Sequence, residues 1–338
     1  MSDAGRMAAI FGCAVLTLSA DERAFFREAD PFGFILFARN IDTPAQVARL
    51  TAELRATVGR NAPILIDQEG GRVQRLRRPH WRDWTPPLDA ATAAGDKAAH
   101  VLALRARIIA EELRAVGIDG NCAPVADIAG AETHSFLRNR CYGETPAQVC
   151  ERARAVADAH LAAGVLPVMK HLPGHGRATA DTHHHLPKVT ASRAELAAHD
   201  FAPFRALADL PMAMTAHIIF DAYDPAHPAT QSPNMIRVIR EEIGFQGLLM
   251  TDDLNMQALS GDLGQRTRAS MAAGCDIALH CKGDMGEMQM VAAEAGDMPP
   301  VTRRRAAAAL ARRLCQAPVD IAALEADLVR MGQGAVHG

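Results

Sequence analysis

Short apolar runs, several of them rich in β-branched residues, alternate along this chain with longer amphipathic stretches. Eight runs are predicted as strands: Cys13 to Leu18, Gly33 to Phe37, Pro63 to Ile66, Ile118 to Ala123, Leu166 to Met169, Met212 to Thr215, Leu248 to Thr251 and Asp276 to His280. Strands separated by helical segments pair in parallel through right-handed crossovers. Helix punctuation agrees. Ser19-Ala-Asp-Glu22 and Ser192-Arg-Ala-Glu195 read as capping boxes, in which hydroxyl and carboxylate each accept an otherwise orphaned N–H. Thr43-Pro44, Thr145-Pro146 and Ser232-Pro233 place a capping hydroxyl before a proline at the first helical position. Gly117, Gly164 and Gly274 each precede a predicted strand, where a left-handed glycine ends a helix.

Eight strand–helix units predict an α/β fold of the closed (β/α)8 TIM-barrel type, with residues 1–338 forming one domain. The rival is a doubly wound open sheet. A dinucleotide-binding version would carry G-x-G-x-x-G after its first strand, and here that strand leads into Ser19-Ala20-Asp21. The Ala/Arg-rich segment from Val301 to Leu314 reads as a terminal helix with a solvated basic face.

A net charge of −3 gives no electrostatic reason to expect nucleic acid or an anionic membrane as partner. The seven cysteines form no C-x-x-C and no closely spaced framework, which favours small buried thiols in a reducing compartment. The N-terminus has no basic stretch followed by an apolar run of signal length, and no run approaches the roughly 20 residues that span a bilayer. The expectation is a cytoplasmic protein, working as a monomer.

In such a barrel the active site lies at the C-terminal ends of the strands. The predicted runs end near or lead to Arg39-Asn40, Asp67, Asp127, Lys170-His171, His217 and Asp252-Asp253. One strand-end aspartate is often a helix cap, but this row of charged groups predicts a polar pocket. In Asp67-Gln-Glu-Gly-Gly-Arg-Val-Gln-Arg75 the paired glycines permit a tight turn that brings Asp67 and Arg75 together. Such a pair accepts from and donates to vicinal hydroxyls of a sugar, or simply holds the loop as a local ion pair. In Lys170-His-Leu-Pro-Gly-His-Gly-Arg-Ala-Thr-Ala-Asp-Thr-His183, Pro173, Gly174 and Gly176 exclude a regular helix. Asp181 and His183 stand two apart, a spacing in which a carboxylate can orient an imidazole that gives and recovers a proton near neutral pH. The loop's histidines, His171, His175, His183, His184 and His185, with Asp181, could alternatively hold a metal for amide or ester hydrolysis. They lie on irregular chain, however, with no H-E-x-x-H. The doublet Asp252-Asp253 ends an apolar strand. A carboxylate there can attack an anomeric carbon, while its neighbour caps or braces; spacing alone leaves open which does which.

These segments, with Asp252-Asp253-Leu-Asn-Met, resemble glycoside hydrolase family 3, and within it the bacterial cytoplasmic β-N-acetylhexosaminidases of peptidoglycan recycling. The match runs in order from about Gly12 to Lys282. The resemblance implies Asp252 as nucleophile, His183 as general acid/base with Asp181 as its partner, and Asp67, Arg75, Arg140, Lys170 and His171 around a terminal N-acetylglucosamine. It implies no metal and no cofactor, a barrel without the second domain of larger members, and substrates in which N-acetylglucosamine is β-1,4-linked to 1,6-anhydro-N-acetylmuramic acid, with or without peptide. The segment Phe136 to Gly143 matches the family loosely. Arg140 aligns by its spacing before Lys170, with Arg138 as the substitute, and Thr251 stands where many relatives have serine. A non-catalytic sugar-binding protein is the remaining rival, although binding alone does not require Asp252, Asp181 and His183 together.

Overall fold

The computed structural model describes residues 4–178, 186–314 and 319–332. Among these, eight parallel strands close into a barrel: β1 (Met7–Gly12), β2 (Pro31–Leu36), β3 (Ile64–Ile66), β4 (Gly120–Asn121), β5 (Leu166–Leu172), β6 (Met212–Thr215), β7 (Leu248–Asp253) and β8 (Ile277–His280). Each pairs with its neighbours in sequence, and β8 pairs with β1 to close the ring. The predicted fold class is the observed one. Seven of the eight predicted runs overlap their strands.

The first run does not. Cys13 to Leu18 was expected as a strand, but β1 lies immediately before it, and residues 14–17 are exposed loop. The alanines of Met7-Ala-Ala-Ile-Phe-Gly weaken its sequence signal, yet small side chains fit this crowded seam. Gly12 ends the strand where a Cβ would fall 2.2 Å from the Cys281 carbonyl oxygen.

Strand periodicity divides the core into two layers. Ala8, Ile10, Ile35, Leu65, Leu166, Val168, Met212, Met214, Leu248, Met250, Ile277 and Leu279 belong to one cluster that fills the barrel. Their alternates, such as Phe11, Phe34, Leu36 and Ala278, pack outward against helices. Those helices include α1 (Ala20–Ala29), α2 (Pro44–Val58), α3 (Ala98–Ala115), α4 (Pro146–Ala162), α5 (Leu263–Ala273) and α6 (Met285–Ala295). Both capping boxes form, and the three threonine or serine caps before proline accept their backbone N–H. Gly117, Gly164 and Gly274 have φ of 79°, 74° and 112°, the left-handed conformation that ends each preceding helix.

The Ala/Arg-rich segment is a helix, α7 (Pro300–Leu310), but not the terminal one, since α8 (Ile321–Arg330) follows. Nor are its arginines only a solvated face. Arg305 reaches Asp276 at 2.9 Å, beside Arg240 at 2.6 Å, and just past α7 Arg313 reaches Asp119 at 2.7 Å, beside Arg55 at 3.1 Å. These aspartates precede β8 and β4, so they brace the end of the barrel opposite the strand-end carboxylates. No helix among the described residues is long and apolar enough to cross a membrane.

Candidate active site

A cavity of about 250 Å³ opens at the C-terminal ends of the strands, lined by side chains that include Asp67, Arg75, Arg140, Lys170, His171 and Asp252. Six sequence-predicted residues from distant parts of the chain therefore share one chamber. Asp181 and His183 lie outside the described residues, as do His184 and His185.

Asp67 follows β3 directly. The chain then folds into a hairpin, Gln68–Gly70 against Val73–Gln74. Gly70 and Gly71 turn it, with φ of 104° and 60°, and a Cβ on Gly71 would approach Pro86 Cγ to 2.9 Å. Gln68 fixes the hairpin's register: its Oε1 accepts from the Arg75 and Leu76 N–H groups at 2.8 and 3.0 Å, and its main chain exchanges two hydrogen bonds with the Asn121 amide on β4. Arg75 is thereby brought back to Asp67, donating to Oδ2 at 3.1 Å.

Lys170, near the end of β5, donates to Asp67 at 2.7 Å and lies 2.6 Å from Glu69. Arg140 holds both oxygens of Glu69 at 2.8 Å. Two carboxylates and three cations thus alternate across one wall. Burial opposes ionisation of both acids, but Lys170 and Arg75 hold Asp67 well below the usual carboxylate range, and Arg140 and Lys170 pull Glu69 down to about 2. Conversely, Asp67 and Glu69 outweigh burial and keep Lys170 firmly charged. Arg140 and Arg138 sit in different surroundings. Arg140 is buried on the cavity, whereas Arg138 points outward to the Gly130 carbonyl and Glu144.

His171 donates from Nδ1 to Asp127 at 2.7 Å, which leaves Nε2 facing the cavity side near Arg140. Asp127 also accepts from the His175 N–H at 2.7 Å. Opposite this wall, both members of the acidic doublet line the chamber. A register irregularity between Met250 and Asp253 relaxes the strict alternation expected of a strand. Their environments separate them. Asp253 accepts from the Asn255 and Cys281 N–H groups, each at 3.2 Å, and so ties β7 to the loop after β8. Asp252 accepts only from the Asp253 N–H among its recorded bonds, at 2.8 Å. Burial raises Asp253 to about 6, with the Asp252 charge adding to it. Burial of Asp252 is instead outweighed by His217 and His171, which lower it. Asp252 is thus the more acidic of the two and faces the chamber, while Asp253 braces the strand end.

Sequence reasoning passed over Glu69, and named Asp127 only as a strand-end group without its partner His171. Glu69 had a signal: it stands two residues from Asp67, so both share a face of extended chain, and two carboxylates match the clustered cations. Asp127 had only its place after a strand.

The buried imidazoles carry a stability prediction. Burial pushes His160, His175 and His280 down to about 4 from an ordinary 6.5. The unfolded chain therefore binds more protons between these values, and their contribution to stability, complete above pH 6.5, is lost as the pH falls toward 4. Asp253, with its raised value, acts in the opposite sense between about 6 and 4. Burial lowers His217 in the same sense and raises Glu112 in the opposite one, so four imidazoles oppose two carboxyls and the urea unfolding midpoint should fall from pH 6.5 to 4.5. A midpoint that rises over this interval would contradict the buried neutral imidazoles.

A model of the glycosyl hydrolase family 3 N-terminal domain matches residues 13–313. The chain belongs to glycoside hydrolase family 3. Proteins named beta-hexosaminidase, from Alkalilimnicola ehrlichii and Pseudomonas aeruginosa, are 41% and 38% identical to it. Each alignment covers 78% of this chain, with 77% and 79% of those proteins. Among solved structures, native NagZ from Neisseria gonorrhoeae superposes with a TM-score of 0.81 at 29% identity, over 97% of this chain and 95% of that one. A family 3 β-N-acetylglucosaminidase from a Paenibacillus strain gives a TM-score of 0.81 at 34% identity. That match covers 93% of this chain but 63% of the other, so this chain spans less than two thirds of that protein. The protein is an enzyme, a family 3 glycoside hydrolase of the β-hexosaminidase group.

Proposed function

We propose that this enzyme is an exo-acting, retaining β-N-acetylglucosaminidase that removes terminal N-acetylglucosamine from peptidoglycan fragments such as N-acetylglucosaminyl-1,6-anhydro-N-acetylmuramic acid, with or without peptide. The observation that carries this reading is the ionised Asp252 facing a small polar chamber walled by Asp67, Arg75, Arg140, Lys170 and His171. The chamber is smaller than the roughly 300–1,000 Å³ of pockets that enclose drug-sized ligands. One sugar ring suits it, and cleavage is then confined to the chain end. The donors and acceptors of the ionic wall match ring hydroxyls and an acetamido group.

In the first step the Asp252 carboxylate attacks the anomeric carbon. The glycosidic C–O bond breaks, and the leaving oxygen takes a proton from His183. Water then attacks the same carbon, gives its proton to His183, and releases Asp252 from the ester. Two inversions retain the β configuration. Asp181 is the partner that orients His183; both assignments rest on the sequence motif. A neutral imidazole acting as base does not repel an incoming anion as a carboxylate would. We further propose that residues 1–338 act as one catalytic unit, a monomer in the cytoplasm. The described cysteines are all free thiols, which fits a reducing compartment.

The deciding assay compares an aryl β-N-acetylglucosaminide with the matching β-glucoside, followed by the anomer first released. Hydrolysis of the former alone, with β-N-acetylglucosamine appearing first and unaffected by chelator, is expected. An α product, or loss of activity on chelation, would overturn the reading. Running the assay with and without phosphate identifies the acceptor. His183→Ala should slow a disaccharide roughly a hundredfold more than an activated aryl glycoside, on the scale of general acid catalysis. Equal slowing would remove His183 as the acid.

A further inference from the structure

We propose that Arg39 is a specificity-determining residue at the lip of the pocket, where it receives a carboxylate on the leaving group of the substrate. The inference rests on the glycosidase reading above and assigns the part of the site beyond the terminal sugar.

The chamber holds about one ring, so whatever is joined to that ring must lie across the rim. Phe37 and Cys281 form part of the wall there. Arg39 stands where they meet. Its guanidinium carbon is 5.1 Å from the Phe37 ring centroid, and Arg75, the partner of Asp67 inside the chamber, lies 5.4 Å from the same ring. Arg39 NH2 donates to the Cys281 carbonyl at 2.5 Å, and Nε donates to the Cys13 carbonyl at 3.0 Å. These bonds fix the head group in place, yet both go to neutral carbonyls. Among the described residues no ion pair with a carboxylate is recorded for Arg39, which is solvent-exposed.

Two neighbouring cations differ. Arg75 is paired with Asp67, and Lys282 with Glu287 at 3.0 Å. The loop beside Arg39 supplies no acid: Ala14, Val15, Leu16 and Thr17 are exposed and uncharged. That loop is also pinned. Asn40 donates to the Cys13 and Val15 carbonyls at 3.0 and 2.9 Å, Gln46 donates to the Leu16 carbonyl at 2.7 Å, and the Ala14 N–H donates to Glu22 at 2.9 Å. A preorganised guanidinium with two bonds to carbonyls and a neutral, partly apolar border is suited to an anionic group carried on an otherwise uncharged leaving group.

The test uses the full chain and two fluorogenic N-acetylglucosaminides with the same umbelliferyl leaving group, one bearing a 3-carboxylate and one a 4-methyl. Wild type should prefer the carboxylated substrate in kcat/KM. Arg39→Met should raise KM for that substrate roughly tenfold, leave kcat for both within about twofold, and leave KM for the methyl compound unchanged. Arg39→Lys, which keeps the charge, should recover part of the loss, and added salt should erode the preference of the wild type. Equal changes on both substrates would mean that Arg39 only staples the loops, and would overturn the inference while leaving the glycosidase reading intact. Absence of any preference in the wild type would do the same. Failure to cleave either compound would overturn the glycosidase reading and this inference with it.

Discussion

Asp252→Ala is expected to lower kcat on an activated aryl N-acetylglucosaminide by about four orders of magnitude or more, with thermal stability close to that of the wild type. The size follows from losing the atom that forms the covalent bond, which the other groups of the chamber do not replace. Stability is spared because Asp252 makes one recorded hydrogen bond, from the Asp253 N–H, and no recorded ion pair with lysine or arginine depends on it. The vacated space should admit a small anion. Azide added to this variant would attack from the face that Asp252 occupied and yield the α-glycosyl azide, by a single inversion. A β-azide, or a variant that keeps most of its activity, would place the nucleophile elsewhere. Asp253→Asn should behave differently, since an amide oxygen can still accept from Asn255 and Cys281 and the brace survives.

The second large effect is expected from Glu69→Ala. The Glu69 side chain is fully buried against Arg140 and Lys170, whose own side chains are 8% and 3% exposed. Its removal leaves two buried cations with Asp67 as their near carboxylate. Breaking one partner out of such a network typically costs about 3–5 kcal/mol, read here as a lower urea midpoint with an unchanged slope. Turnover should fall as well, because Lys170 and Arg140 both line the chamber and lose their common anchor. The pH dependence supplies an internal check. Glu69 is lowered in the folded state to about 2, so its stabilising contribution is present above the unfolded value near 4.5 and is lost as the pH falls toward 2. The variant should lack this part of the acid transition. A variant as stable as wild type at pH 7 would show that the ionic wall contributes little to the fold.

How much of this was legible in the sequence can be judged from particular residues. The helix stops at Gly117, Gly164 and Gly274 and the two capping boxes were readable because they depend on local geometry and a few adjacent side chains. The convergence of Asp67, Arg140, Lys170 and Asp252 was readable once parallel strands were inferred, since strand ends in a barrel share one face. β1 was misplaced because its identity depends on the crowded seam between the first and last strands, which Met7 to Gly12 does not advertise. Within the Cys13 to Leu18 run only the two ends are buried in the core, and residues 14–17 between them are exposed at the rim. Spacing alone left the doublet Asp252-Asp253 open, and only the resemblance chose Asp252, because the distinction lies in the backbone N–H groups of Asn255 and Cys281, the second of them 28 residues away. Glu69 was passed over because its partners are 71 and about 100 positions distant, at Arg140 and Lys170.

The ring is sealed by the pairing of its first and last strands. Arg39 meets Cys281 across 242 positions, and Asp253 finds one of its two N–H donors at that same late residue. The brace on Asp253 is therefore complete only when the loop after the eighth strand is in place. Closure of the barrel and bracing of the acidic doublet thus depend on the same late segment of the chain.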